Sequence, residues 1–246
     1  MADYHPRIVS LYDNDNPDGP DHDFYRALAR DASRIIDLGC GTGILTVTLA
    51  GQAWAIANGP KRTVIGVDPS TAMLDYARQR PGAENVTWIE GDSRRIPGRD
   101  AELAIMSGNV AQHIPDSHWK QTLADLRKSM AQGGVLAFES RNPQARAWES
   151  WGDGEKTSRM TDHGLLVEWE EVTTADDRTV KLTSHNMFAD AEETVTESQR
   201  LIFRSRSELE ESLHDCGFAI EAVYGDWGMT LFTESAPLMI VVARAC

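Results

Sequence analysis

Five apolar runs rich in β-branched residues lie between residues 34 and 141, alternate with helix-forming segments, and predict an α/β fold on a doubly wound sheet. A glycine-rich turn directly after the first run is the second predictor, because such turns join a strand to a helix start at the ligand edge of these sheets. A third is the return to strand-like patterning at the end of the chain, where FAIEAVYGDWG and APLMIVVARA form a closing hairpin-like pair.

Residues 1–33 are acidic and turn-rich (LYDNDNPDGPDHD) and end in FYRALAR, a short amphipathic helix leading into the first strand. Residues 35–43, IIDLGCGTG, then run from a hydrophobic strand through Asp37 into Gly39, Gly41 and Gly43, and ILTVTLA opens a helix. Glycines let a ligand approach the main chain, and the helix start adds free N–H groups. The register is Gly-x-Gly-x-Gly. A dinucleotide fingerprint, Gly-x-Gly-x-x-Gly, would need glycine where Ile44 stands.

The second run, TVIGVD, ends in Asp68, followed by Pro69 and Ser70. A carboxylate at a strand tip can accept from both hydroxyls of a ribose. It can also cap a helix, but Ser70 is the better cap for the segment STAMLDYARQR, which puts Met73, Leu74 and Ala77 on one face. The third run, NVTWIEGDSRRIP, is a short strand and a turn in which Asp92 suits turn formation by itself. The fourth, AELAIM, ends in the small residues Ser107, Gly108 and Asn109, at the strand edge where ligands of open α/β sheets bind. Gln112 and His113 come one helical turn later and can face the same cleft. The helix SHWKQTLADLRKSMAQ is expected to stop at Gly133-Gly134, and GGVLAFES forms the fifth strand.

On Asp37, the triplet Gly39, Gly41 and Gly43, Asp68, and Gly91-Asp92 at matching intervals, the chain resembles the class I S-adenosylmethionine-dependent methyltransferases. The resemblance is close over about residues 34–141 and looser over the C-terminal tail. It implies a single methyltransferase domain over residues 1–246 on a Rossmann-like, doubly wound seven-stranded sheet whose last strand is antiparallel. The implied cofactor is S-adenosyl-L-methionine. Asp37, Gly39, Cys40, Gly41 and Gly43 would hold it at the turn, and Asp68, Pro69 and Met73 on the ribose side. Asp92 would accept from the adenine amino group between Gly91 and Ser93, while Ser107, Gly108 and Asn109 would lie near the sulfonium. The segment 1–33 would act as an N-terminal cap, with Tyr12 or Tyr25 over the sulfonium or its carboxylate; passive packing is the alternative for Tyr25. Glu102 stands nearest to an Asp usual in the fourth strand, a departure that touches packing. The Asn/Asp-Pro-Pro-aromatic motif of amino-methylating DNA enzymes is absent: its place reads SGNV, and Asn142-Pro143-Gln144 follows a different strand.

Residues 142–205 break the α/β rhythm and read as an inserted antiparallel segment of three strands, preceded by a short helix with Trp148 and Trp151. Insertions here shape an acceptor pocket or make a homodimer contact. Gln112, Arg141, Asn142, Trp148, Trp151, Trp169 and Trp227 are the substrate-side candidates, with ordinary core packing as the rival for each tryptophan. His113 is the one candidate general base, on its ordinary titration range.

A net charge of −14, from 24 basic and 38 acidic residues, opposes nucleic-acid binding. Three scattered cysteines, Cys40, Cys216 and Cys246, fit neither a disulfide framework nor a metal knot and suit a reducing cytoplasm. No apolar run reaches membrane-spanning length, the N-terminus lacks a signal-peptide core, and no carboxylate set is spaced for a metal. The expected function is therefore methyl transfer from S-adenosylmethionine to a small-molecule acceptor. The rivals are a nicotinamide-dependent oxidoreductase and a non-catalytic protein that binds the cofactor or a partner.

Overall fold

The computed structural model describes residues 3–51, 62–152 and 154–246. Two helices come first, α1 (Pro6–Asp15) and α2 (Pro20–Leu28), each with proline in its first turn, where the missing N–H costs nothing. The α/β rhythm follows as β1 (Arg34–Leu38), α3 (Ile44–Gly51), β2 (Thr63–Asp68), α4 (Thr71–Ala77), β3 (Val86–Glu90), β4 (Ala101–Met106), α5 (Val110–His113), α6 (Asp116–Ser129) and β5 (Met130–Arg141). An antiparallel segment contains β6 (Thr157–Thr161), β7 (Gly164–Thr174), β8 (Thr179–Phe188) and β9 (Glu193–Ile202), and α7 (Arg206–Asp215), β10 (Phe218–Tyr224) and β11 (Leu238–Ala245) close the chain.

The main sheet has seven strands in the order β10-β11-β5-β4-β1-β2-β3. β1, β2, β3, β4 and β5 run parallel, and β11 is antiparallel to both its neighbours, as expected from the sequence. Alternate strand residues face two cores. One packs Ile36, Ala104, Leu136, Phe138 and Met239 against Trp119, Leu123, Leu209 and Leu213 of α6 and α7. The other packs Ile35, Val64, Leu103, Ala137 and Ile240 against Phe24 and Tyr25 of α2 and Leu45 and Leu49 of α3. Burial on both faces explains why these strands read as nearly continuous apolar runs.

Three expectations are corrected. The N-terminal turn-rich segment contains α1, N-capped by His5, whose side chain accepts from the Arg7 N–H. α6 stops at Ser129, before Gly133-Gly134; Gly133, at φ +78°, instead lies within β5, where its pairing with β4 shifts register. The insertion has four strands, because the polar edge strand β6 pairs with β7 from Thr157↔Glu168 to Thr161↔Gly164.

The second sheet sits on α1 and on residues 143–151. Leu166, Phe188 and Val195 pack on Ile8 and Leu11, while Val180, Leu201 and Val172 pack with Trp148, Trp151 and Phe203. Trp148 is 6% exposed and meets Phe203 edge-on with ring centroids 4.4 Å apart. It is thus a core residue joining the insertion to the main body, and its place in an acceptor pocket is withdrawn. Among the described residues no helix is long and apolar enough to cross a membrane.

Trp148→Ala is expected to cost about 3–5 kcal/mol in urea unfolding, the range for removing a buried aromatic, and Trp151→Ala, only partly buried, clearly less. Equal losses for the two would contradict this division of roles.

Candidate active site

The carboxyl ends of β1, β2, β4 and β5 converge beneath α1. At β1, Gly39 and Gly43 adopt φ of +78° and +75°, and a Cβ would stand 2.4 Å from Val110 at the first and 2.6 Å from Trp88 at the second. Only glycine fits both the dihedrals and the space. Asp37, 1% exposed, accepts from the Thr46 hydroxyl at 2.7 Å through Oδ2, while its Oδ1 is buried with no partner. Burial pushes its carboxyl up to about 6. Cys40 is buried beside these acids, and burial raises its thiol well above the ordinary range, so it stays neutral.

Asp68, at the tip of β2, accepts from Gly41 N at 2.9 Å through Oδ2 and from Ser70 N at 2.9 Å through Oδ1. Ser70 is the cap of α4, accepting from Met73 N at 3.1 Å, so Asp68 is not needed in that role. Each Asp68 oxygen retains a second lone pair for a hydroxyl donor. Pro69 is exposed and Met73 buried in α4. Farther along the same edge, Pro69, Glu90, Gly91, Asp92, Arg94 and Arg95 line an open groove. Both Asp92 oxygens are held there by the Arg94 guanidinium, in an exposed pair of the kind that exchanges readily. Ser93 is buried, and its hydroxyl donates to Asp125 at 2.8 Å.

At the end of β4, Ser107 and Gly108 turn into Asn109, which has a left-handed φ of 58°. Asn109 N donates to Glu139, and Asn109 Oδ1 is buried with no partner. Glu139, on β5, is 2% exposed; its other oxygen accepts from the Tyr25 hydroxyl. Burial pushes Glu139 up to about 7. Tyr25 is fully buried among Phe24 and Trp227. Glu139 was not singled out from sequence, because one acid near the end of an apolar strand carries no motif. Its signal was the burial of that strand on both faces.

α1 forms a lid tied to both sheets. Asp13 accepts from the Thr42 hydroxyl at 2.6 Å and pairs with Arg80, which also donates to Thr42 O at 2.5 Å. Arg159 bridges Asp15 and Glu168, both at 2.8 Å. Burial, then the charge of Asp68, raises the Tyr12 hydroxyl, so it stays protonated.

The substrate-side candidates separate. Gln112 is fully buried, and its Oε1 accepts from Arg141 N at 3.3 Å and Nη1 at 3.2 Å. Arg141 lies over the Trp151 ring, 4.9 Å from its centroid. His113 is half-buried, and burial together with Arg141 pulls it down to about 4, so the ring is neutral at pH 7 and a weak base. Proton removal therefore suits it less than the sequence suggested. Asn142 is corrected to a clamp: its amide donates to Glu234 O and Ala236 O at 2.8 Å and accepts from Gln144 N at 3.0 Å. Trp169 is corrected as well. It stacks on His185 at 4.8 Å, three residues along β7 from Leu166 and therefore on the sheet face turned away from α1. Trp227 packs on Phe24 and Tyr25, one layer behind Glu139.

The raised Glu139 pKa makes stability depend on pH. A buried carboxyl that binds its proton more tightly folded than unfolded adds stability fully below about 4.5, and that stability is lost as pH rises through about 7. Glu139→Gln should therefore flatten the fall in urea midpoint between about pH 5 and 8, by on the order of 2–3 kcal/mol. An unchanged slope would mean that Glu139 is ionised throughout.

The sequence-family model described as a methyltransferase domain matches residues 35–134. The chain is 29% identical over 143 residues to a malonyl-[acyl-carrier protein] O-methyltransferase of Pectobacterium atrosepticum, covering 56% of this chain and 52% of the relative. It is 36% identical over 110 residues to a trans-aconitate 2-methyltransferase of Azoarcus sp., covering 44% and 39%. The chain thus spans about half the length, or less, of the curated relatives it matches. Among solved structures it is similar to the CcbJ methyltransferase of Streptomyces caelestis, with TM-score 0.77 and 18% identity over 97% of this chain and 96% of that one. It is also similar to S-adenosylmethionine-bound CalS10, an amino pentose methyltransferase of Micromonospora echinaspora, with TM-score 0.68 and 20% identity over 100% of both chains. The domain match runs from β1 into the first residues of β5, short of Glu139 and Arg141, and the shared fold extends over nearly the whole chain. Residues 35–134 are thus similar to a methyltransferase domain, and the chain as a whole has the fold of the S-adenosylmethionine-dependent methyltransferases it resembles.

Proposed function

We propose that the protein transfers the methyl group of S-adenosylmethionine to a small-molecule acceptor by in-line displacement. The observation that carries this reading is the convergence of Asp37, the glycine turn, Asp68 and Asn109 on one strand edge, with two buried oxygens, Asp37 Oδ1 and Asn109 Oδ1, left without partners. Unpartnered buried acceptors are costly and suit a ligand that brings donors and positive charge. The residues thus fit the cofactor, which supplies an electrophilic methyl on a sulfonium when bound. Asp37 and Asn109 would face its amino-acid end, Asp68 its ribose, and the Gly91–Ser93 turn its adenine.

The chain's own contribution is positioning and exclusion of water. α1, with Tyr4 and Tyr12, covers the cleft, and residues 1–33 act as its cap. The insertion over residues 142–205 closes the acceptor side, where Trp151 and Arg141 meet. His113, neutral at pH 7, would accept a hydrogen bond from the acceptor rather than take its proton. The malonyl-[acyl-carrier protein] and trans-aconitate enzymes and the amino pentose enzyme support a metabolite acceptor. The acidic balance of the chain favours neither nucleic acid nor an anionic membrane surface as partner, and a cytoplasmic location suits the three free thiols. The outer face of the second sheet, with Trp169 and the exposed Met160, is where a homodimer contact would form. A nicotinamide enzyme is disfavoured by Ile44 in place of the third fingerprint glycine.

Calorimetry should give S-adenosylmethionine and its demethylated product micromolar affinity, about −8 kcal/mol, with no heat from NAD. Asp68→Ala should weaken both by about 1–3 kcal/mol, because a charged acceptor is lost. Absence of binding at millimolar ligand would overturn the proposal, and unchanged affinity in the variant would remove Asp68 from the site.

A further inference from the structure

Arg141 is a half-buried cation that forms no salt bridge, and the only acid acting on it from nearby is Glu139. Three other shielded guanidinium groups are matched by carboxylates: Arg204 by Asp116, Arg80 by Asp13, Arg159 by Glu168 and Asp15. Among the described residues no carboxylate stands within ion-pair distance of Arg141. Glu139, two residues earlier on the same strand face, is the nearest acid in sequence, but its oxygens are taken by Tyr25 and Asn109. A half-buried charge without a bound anion is poorly compensated, and a ligand that supplies one gains accordingly.

The surroundings fix what that ligand offers. Gln112 Oε1 holds the Arg141 backbone N–H and Nη1, which sets the side chain's direction. The flat face of the guanidinium is covered by Trp151. Gln112 Nε2 is a second buried donor, with no partner of its own. The same corner thus presents a guanidinium fork and a free amide donor. One cationic fork matches the single charge and planar geometry of a carboxylate, whereas a phosphate usually gathers more positive charge. Arg141 also lies at the tip of β5, beyond β4 from the glycine turn, and so on the acceptor side of the cleft.

We infer that Arg141, oriented by Gln112 and backed by Trp151, anchors a carboxylate of the methyl acceptor, so that the enzyme's substrates are carboxylic acids. This rests on the methyl-transfer reading above and names its substrate class.

The test titrates phenylacetate, hexanoate and tricarballylate, each beside its primary amide, and phenyl phosphate, into protein saturated with S-adenosylhomocysteine. At least one acid should bind about tenfold more tightly than its amide, a gap of about 1.4 kcal/mol. Arg141→Gln should erase that preference while S-adenosylhomocysteine affinity stays within about twofold, and Arg141→Lys should restore only part of it. Equal binding of acids and amides, no acid binding at about 10 mM, or a preference that survives Arg141→Gln would overturn the inference. So would tighter binding of phenyl phosphate than of every acid. A matching loss of S-adenosylhomocysteine affinity in Arg141→Gln would instead put the guanidinium on the cofactor's own carboxylate. The wild-type comparison of acid with amide needs no variant to fold. If S-adenosylhomocysteine itself does not bind, the methyl-transfer reading fails separately, and the same comparison without it still reads the anchor.

Discussion

The turn between β1 and α3 passes so close to its neighbours that two of its positions have no room for a side chain. Val110 crowds Gly39 and Trp88 crowds Gly43. Trp88 is itself fixed, its indole N–H donating to Ala83 O at 3.0 Å. This tight passage lets α3 begin directly at the strand tip and brings Gly41 N within 2.9 Å of the Asp68 carboxylate. It also seats the β4 end, through Val110, against the same turn. The relative placement of Asp37, Asp68 and Asn109 follows from that packing, so the geometry of the cleft is a consequence of close approach rather than of any one polar contact.

The charge pattern within the cleft divides it. On the cofactor side, burial raises Asp37, Asp68 and Glu139 above the ordinary carboxylate range. Such groups favour a bound proton or an approaching cation, which accords with a sulfonium ligand. On the acceptor side the sign reverses: Arg141, held by Gln112, forms no salt bridge, and His113 is held neutral. Arg204 steadies this corner by donating to Ala111 O and Ile114 O, both at 2.7 Å, while pairing with Asp116. The short helix that carries Gln112 and His113 is therefore pinned at both ends of its turn.

The main sheet was legible because its strands are buried on both faces and punctuated by glycine and acidic residues at their tips. Asp37, Asp68 and the glycines could be placed at strand tips from the ends of the apolar runs, while their cofactor roles came from the family resemblance. β6 was not legible, since TSRMT is an edge strand whose residues are mostly exposed and carry no apolar period. α1 was hidden by its acidic, turn-forming composition and is held by tertiary ties, from Asp13 to Thr42 and Arg80 and from Arg7 to Glu193. The tryptophans misled for a common reason. Residue type shows that a large ring will be buried but not in which cluster, and Trp148, Trp169 and Trp227 went respectively to the core, the outer sheet face and the α2 layer. Asn142 misled because a strand-end amide serves equally well as a loop clamp.

If four strand tips under α1 form one cofactor cleft, a bound cofactor product should protect all of them together. Amide hydrogen exchange with and without S-adenosylhomocysteine tests it most directly. Bound S-adenosylhomocysteine should add protection at residues 37–43, at 68–70 and at 107–110, together with α1, and change β7 and β8 of the second sheet little. Protection confined to the second sheet, or spread evenly over the chain, would contradict it.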